Sequence, residues 1–150
     1  MVQVTLSPGT VFAAAQELNT KYLHYLEPDR LLYQFNQVAG LPTTAEPYGG
    51  WESPTYVNGL INGHFTGHLL SATAFSIASH VDPTGLLKNR SIYLVQQLRR
   101  CQQAYAAKHP ADAGYLSAYG IDQIERLEAH NSTHVWAPYY TLHKIMAGQC

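Results

Sequence analysis

The stretch GHFTGHLLSATAFSIASH, from Gly63 to His80, contains no Asp, Glu, Lys or Arg. Only imidazoles interrupt its small and apolar side chains, and such a pattern predicts a helix that is buried on most sides. Gly63 and Gly67 indicate that something bulky lies against the start of this helix. Further small residues would let a neighbouring helix approach closely: Ser71, Ala72, Ala74, Ser76 and Ala78.

Apolar spacing of about 3.6 residues predicts helices on both sides of this stretch. Ser7-Pro8 is typical of a helix cap and first residue, and this helix should end near Glu27-Pro28. Asp29 would cap a second helix that stops at Gly40. We expect an ordered loop from Thr43 to Gly63, helices at Pro83–Lys108, Ile121–Glu128 and Tyr139–Gly148, and a short extended piece at Gly114-Tyr115-Leu116. The pattern predicts an all-α fold.

The composition indicates one modest domain with a surface that is short of charge. The chain has 150 residues, of which 46 % are hydrophobic and 13 % charged, against roughly 25 % charged in an average protein. Eight His and eleven Tyr accompany this low charge. The chain therefore either lines a concave site with rings or has surfaces that something covers, unless the Tyr side chains are buried with bonded hydroxyls.

Charge and hydropathy disfavour two classes of partner. The formal net charge is −1, and no basic run is longer than Arg99-Arg100, so binding to nucleic acid is not expected. No run of about 18 apolar residues occurs, so no membrane span is expected. No signal peptide is visible, and the sequons at Asn89 and Asn131 are weak evidence for secretion. The compartment stays open.

Two imidazoles, His64 and His68, stand at i and i+4 and share one helix face. This spacing suits a metal, but Phe65 occupies the place where zinc proteases carry Glu, and no third ligand is evident. A histidine that faces a pocket or is hydrogen-bonded is the favoured alternative. We assign no metal ligand here.

Trp51-Glu52 suits a sugar site, because apolar sugar faces stack on rings while carboxylates accept hydroxyl hydrogen bonds. In the alternative, Trp51 packs on the core and Glu52 is solvated. A helix that begins at Pro138 puts Tyr139 and His143 on one face, where they would meet a cleft, unless His143 is simply buried and satisfied. No Ser or Cys nucleophile motif appears. Asp122, Glu125 and Glu128 look like an exposed stripe rather than a catalytic pair.

An ordered series of motifs resembles one family. The motifs are Pro28-Asp29-Arg30-Leu31-Leu32, Ala39-Gly40-Leu41, Gly50-Trp51-Glu52, the run from Gly63 to Ala72, Gly114-Tyr115-Leu116-Ser117-Ala118, Arg126-Leu127-Glu128 and the run from Val135 to Gly148. Together they are similar to the N-terminal part of the glycoside hydrolase family 127 catalytic domain. This β-L-arabinofuranosidase-like group was once a domain of unknown function, number 1680.

The resemblance implies an (α/α)6 toroid of which residues 1–150 are the N-terminal part, followed in full-length members by β-sandwich domains. It implies retaining hydrolysis of terminal β-L-arabinofuranosyl groups by a Cys nucleophile in a zinc site of Cys and Glu ligands, with a Glu acid/base. Those residues lie downstream, so we assign no catalytic residue and no cofactor here; Cys101 and Cys150 do not fall in that motif. His143 matches a family His that contacts the sugar, and Trp51, Glu52, His68 and Tyr140 are assigned to the same pocket.

Two functional hypotheses follow. In the first, the chain is a truncated glycoside hydrolase that supplies part of a pocket for an arabinofuranoside-type glycan and is inactive alone. Its uncovered apolar helix faces would then favour self-association. In the second, it is a non-catalytic helical module that binds carbohydrate or another protein.

Overall fold

The computed structural model describes residues 5–55 and 61–149. Within them the regular structure consists of α-helices and two short 3₁₀ turns, Gly50–Glu52 and Pro110–Asp112. The helices are α1 (Val11–Tyr25), α2 (Pro28–Leu31), α3 (Tyr33–Ala39), α4 (His64–Ala78), α5 (Leu86–Lys108), α6 (Ile121–Glu128) and α7 (Pro138–Gln149). The all-α prediction is confirmed, and the toroid stays a prediction.

Two helices begin three residues later than the sequence predicts, because a left-handed glycine stands before each. Gly9 has φ 76°, so α1 cannot start at Ser7-Pro8; Thr10 caps it instead and its hydroxyl accepts from Ala13 N at 3.2 Å. Gly85 has φ 68° in front of α5. Asp82 reaches over this turn, and its carboxylate accepts from Lys88 N at 3.0 Å.

The predicted second helix is divided into α2 and α3 at Leu32. Asp29 does not cap it, because Asp29 lies inside the first turn and accepts from the Tyr93 hydroxyl at 2.5 Å. The predicted stop at Gly40 is confirmed, since this residue is left-handed and Leu41 N donates back to Asn36 O at 2.8 Å.

A core made mainly of leucines joins α2, α3, α4 and α5 and includes the ring of Phe35. Its fully buried large side chains include Leu32, Phe35, Leu87, Leu94 and Leu98. Burial of such side chains stabilises a domain by roughly 1.5–3 kcal/mol each. The core therefore fixes where α4 begins, which is where the predicted site residues converge.

Helix α4 crosses α7 at a pair of glycines, as the small residues predict. A Cβ on Gly148 would lie 2.5 Å from the carbonyl oxygen of Gly67, and one on Gly67 would collide with the Lys144 carbonyl. Gly63 is equally constrained, because a Cβ there would lie 2.9 Å from the Phe35 ring. Seven of the 15 residues of α4 are buried, and the exposed residues, among them His68 and Phe75 seven residues apart, lie along one side, so the prediction that α4 is buried on most sides is confirmed.

Apolar side chains remain exposed on two other helices. In α1 only Leu23 is buried, while Val11, Leu18, Tyr22 and Tyr25 form one exposed stripe. Leu86, Ile92 and Val95 are also exposed on α5. The described helices thus bury only part of the apolar surface that the sequence encodes.

The last part of the chain follows the predicted boundaries. Helix α6 is Ile121–Glu128 as predicted, and its acidic residues 122, 125 and 128 are exposed. Residues 114–116 form a turn and irregular backbone without a strand ladder among the described residues. No helix of the described part is long and apolar enough to cross a membrane.

Candidate functional site

The site is organised around the first turn of α4, whose backbone N–H groups lack partners within the helix. Glu52, in the preceding loop, provides the missing acceptors: its carboxylate accepts from Gly63 N at 2.7 Å and from Phe65 N at 3.0 Å. A carboxylate at a helix N-terminus also interacts favourably with the helix dipole. Glu52 is only 6 % exposed, so the alternative in which Glu52 is solvated is wrong.

His64, the first residue of α4, is 4 % exposed and lies against the same carboxylate. Its Nδ1 is 2.6 Å from Ile61 O and 3.0 Å from Glu52 Oε1. Both of these atoms are acceptors, so Nδ1 carries the proton. Among the alternatives for the His64/His68 pair, His64 is the hydrogen-bonded histidine.

Three predicted site residues surround the His64 ring. Ring-centroid distances from His64 are 5.8 Å to His68, 5.9 Å to Trp51 and 6.4 Å to Tyr140. They come from three elements: α4, the 3₁₀ turn and α7. All three are exposed while His64 is buried. We call Trp51, His68 and Tyr140 the ring wall.

The side chains of the ring wall meet solvent in different ways. Trp51 is 61 % exposed, so the alternative in which it packs on the core is wrong. Lys144 Nζ lies 5.0 Å from the centroid of the Tyr140 ring, as a cation–π contact. Burial first, and then the charges of His64 and Lys144, lower the pKa of His68 below its ordinary value of 6.5. His68 is therefore mainly neutral at pH 7, so that one ring nitrogen donates a hydrogen bond and the other accepts one.

His143 is on α7 next to the ring wall in sequence, and it is exposed. The alternative of a buried His143 is therefore wrong. No ring contact among the described residues joins it to His64. Tyr139, on the same face as His143, donates its hydroxyl to Glu128 Oε1 at 3.2 Å, which directs Tyr139 toward α6.

A mainly apolar cleft of about 270 Å³ adjoins the ring wall. Trp51 and Glu52 line it together with Tyr48, Phe65 and the exposed tyrosines of α1. The Tyr48 ring is fixed, since Arg30 stacks on it at 4.0 Å and its hydroxyl accepts from Glu27 N at 2.9 Å. A larger cleft, about 730 Å³, is elsewhere, between α2, α5 and the 42–46 loop. None of the predicted site residues lines it.

The composition leaves open whether the Tyr side chains are buried or line an exposed site, and the described tyrosines include both kinds. Tyr105 and Tyr119 are buried, while Tyr22, Tyr25 and Tyr140 are exposed. Burial raises the pKa of Tyr115 to about 12, and its hydroxyl donates to Tyr119 O at 2.7 Å.

The described residues do not fit the zinc site that the family resemblance implies. No group of three or more His, Cys, Asp or Glu side chains among them is placed to hold a metal ion. Burial raises the pKa of Cys101 to about 11, although Arg100 opposes it, and this thiol faces Asn36. A protonated, buried thiol is neither a ligand nor a nucleophile. Cys150 lies outside the described residues.

Two residues of the site did not stand out in the sequence. His64 is visible only as half of an i, i+4 pair, and Lys144 only as the residue one turn after Tyr140. Neither signal reveals that Glu52 holds His64, because their contact joins the loop to α4.

These features define an all-α domain with an exposed wall of aromatic and imidazole rings. Residues 3–150 match the family model described as Beta-L-arabinofuranosidase, GH127 catalytic domain. Because the match covers almost the whole chain, the chain belongs to this glycoside hydrolase family. A comparison with curated proteins finds none that matches the chain.

Proposed function

We propose that the chain supplies one side of a pocket for an L-arabinofuranosyl group. The ring wall and His143 would face the sugar, and Glu52 would belong to the same site. The family supports carbohydrate as the ligand class. The observation that carries the proposal is the convergence of the ring wall on His64 from three separate elements.

The chemistry of these rings matches what a furanose presents. Trp51 offers an exposed apolar face for stacking against C–H groups. Neutral His68 and the Tyr140 hydroxyl each both donate and accept, which suits sugar hydroxyls. Lys144 adds a donor beside Tyr140. A single sugar stacked on such a wall has a small contact area, so the isolated chain should bind it weakly, with a Kd of about 1 mM or above.

We further propose that these residues alone do not hydrolyse a glycoside. Hydrolysis needs two groups that act as acid and as nucleophile or base. The Glu52 carboxylate is buried and bonded to Gly63 N, Phe65 N and His64, and Cys101 is a buried thiol. Neither is free for covalent chemistry.

The exposed stripe of α1 favours a second role as an interaction surface, which includes contact with another copy of the chain. Val11, Leu18 and Tyr25 point the same way and are all largely exposed. Sedimentation at increasing concentration should show a mass above 16.7 kDa, and Leu18→Lys should reduce it. A monomer at every concentration would contradict this role.

The sugar-binding proposal is tested with methyl β-L-arabinofuranoside by ligand-observed NMR. Trp51→Ala and His143→Ala should weaken binding, whereas Trp136→Ala should not. Trp136 is the matched control because it is also 61 % exposed but contacts a different cleft, beside Tyr119 and Gln123. If all three variants bind like the wild-type chain, the ring wall is not the sugar site.

A further inference from the structure

We propose that Glu52 and His64 form a positioning pair that holds the ring wall in register, while the sugar touches the wall and not the pair. This inference rests on the proposed sugar-binding function. Glu52 would then support the residues that contact the sugar rather than bind the sugar itself, and His64 would hold those residues in place.

The hydrogen-bonding capacity of Glu52 is largely taken up by protein groups. Both carboxylate oxygens are occupied by protein donors: Oε2 by Gly63 N, and Oε1 by Phe65 N and by His64 Nδ1. These donors fill three of about four acceptor positions of the carboxylate, and the side chain is only 6 % exposed, so little of it is accessible to a sugar hydroxyl. Glu52 is therefore better placed to fix protein groups than to bind a ligand.

His64 lies between the three residues of the ring wall. Its Nδ1 side is anchored twice, by Ile61 O and by Glu52, so the ring has one tautomer and one orientation. The rest of its ring contacts Trp51, His68 and Tyr140. Trp51 also precedes Glu52 directly in the chain, so the bonds that fix Glu52 fix the loop that carries Trp51. The loop that carries Trp51, α4 and α7 are thus all positioned against the His64 ring.

The Glu52–His64 pair lies beside the crossing of α4 and α7. The glycine crossing brings α7 against α4 within one turn of His64. A rotation of the His64 ring would therefore shift the Tyr140 side of the wall as well as the His68 side. Precise support of the residues that contact a ligand is what makes such a site effective.

The test uses the full 150-residue chain with methyl β-L-arabinofuranoside as the probe. Glu52→Gln keeps the size of the side chain but points an amide N–H₂ at groups that are themselves donors. The unpaired donors can be relieved only by a movement of the loop and the ring wall, so we expect sugar binding to weaken at least about 5-fold, which corresponds to roughly 1 kcal/mol. The NMR signals of Trp51, His68 and Tyr140 should move together even without sugar.

The matched control is Asp82→Asn. Asp82 caps α5 through Lys88 N as Glu52 caps α4, but it is remote from the ring wall. Both variants should lower the melting temperature, and only Glu52→Gln should alter sugar binding and the ring signals. If Glu52→Gln binds sugar like the wild type, or if Asp82→Asn weakens binding equally, the positioning role is overturned while the sugar site stands.

A measurement on the unmodified chain covers the case in which Glu52→Gln does not fold. The ring nitrogens of His64 should show a protonated Nδ1 at neutral pH, with cross-relaxation from the His64 ring to Trp51, His68 and Tyr140. A tautomer protonated only at Nε2, or no cross-relaxation to these rings, would overturn the inference. If the wild-type chain binds no sugar at all, the proposed function itself fails, and the inference fails with it.

Discussion

Replacing Gly67 with alanine should separate α4 from α7 and destabilise the chain. The added Cβ would collide with the Lys144 carbonyl and come within 2.8 Å of Ile145 N. These are backbone atoms, so no side chain can rotate away to make room. The only relief is an outward movement of α7 as a whole.

The size of the effect follows from two opposing terms. A helix shift of about 0.5–1 Å loses a quarter to a half of the dispersion energy of each contact it opens, and overpacking of this kind costs roughly 1–3 kcal/mol. Alanine gains about 1 kcal/mol over glycine in helix propensity. Because the obstruction is backbone, we take the upper end of the cost and expect a net loss of about 2 kcal/mol.

Urea unfolding followed by circular dichroism measures this loss, with Gly114→Ala as the control. A Cβ on Gly114 meets nothing within 4 Å, so that variant should be as stable as the wild type or slightly more so. Gly67→Ala should also weaken sugar binding, because α7 carries Tyr140. If Gly67→Ala matches or exceeds the wild-type stability, the close crossing of α4 and α7 is refuted.

Three further predictions concern titratable groups. In a Cys150→Ser background, Cys101 should react far more slowly with a disulfide reagent at pH 8 in the folded chain than in urea. The reason is that a pKa of about 11 leaves about one thiol in a thousand ionised in the folded chain. Equal rates in the two conditions would contradict this. Burial would raise the pKa of Asp82, but hydrogen bonds from the N–H groups of Lys88, Leu87 and Leu86 outweigh it and hold the pKa below 3.8. The stabilisation of the fold by Asp82 is complete above pH 3.8 and is lost as the pH falls through the lowered pKa. Asp82→Asn should therefore flatten the acid limb of the stability profile. The pKa of Tyr115, raised by burial to about 12, should contribute to a fall in stability as the pH rises from 10 toward 12. Tyr115→Phe should reduce that fall, and an unchanged alkaline limb would show that Tyr115 is not shielded from solvent.

The helices could be predicted from local patterns in the sequence. The boundaries of α6 and the stop at Gly40 depend on residues within one turn of the boundary, and both predictions are confirmed. The start of α1 was misplaced because the sequence does not reveal that Gly9 is left-handed. Such a residue moves the cap to Thr10, although Ser7-Pro8 has the better signature.

The site depended on contacts across the chain, which periodicity does not reveal. Whether Glu52 is solvated or buried is decided by donors eleven and thirteen residues later, at Gly63 and Phe65. The exposure of Trp51 follows from the same fixing of the loop. The role of His64 needs α7 to cross α4, and in the sequence only Gly67 and the other small residues of α4 indicate a close neighbour.

The most direct test is to follow both tryptophan indole signals of the wild-type chain by NMR during titration with methyl β-L-arabinofuranoside. Trp51 and Trp136 are equally exposed, so nonspecific stacking would move both. A sugar pocket at the ring wall predicts that Trp51, His68 and Tyr140 shift together and that Trp136 stays in place. Shifts at Trp136 alone, or equal shifts at both tryptophans, would contradict it.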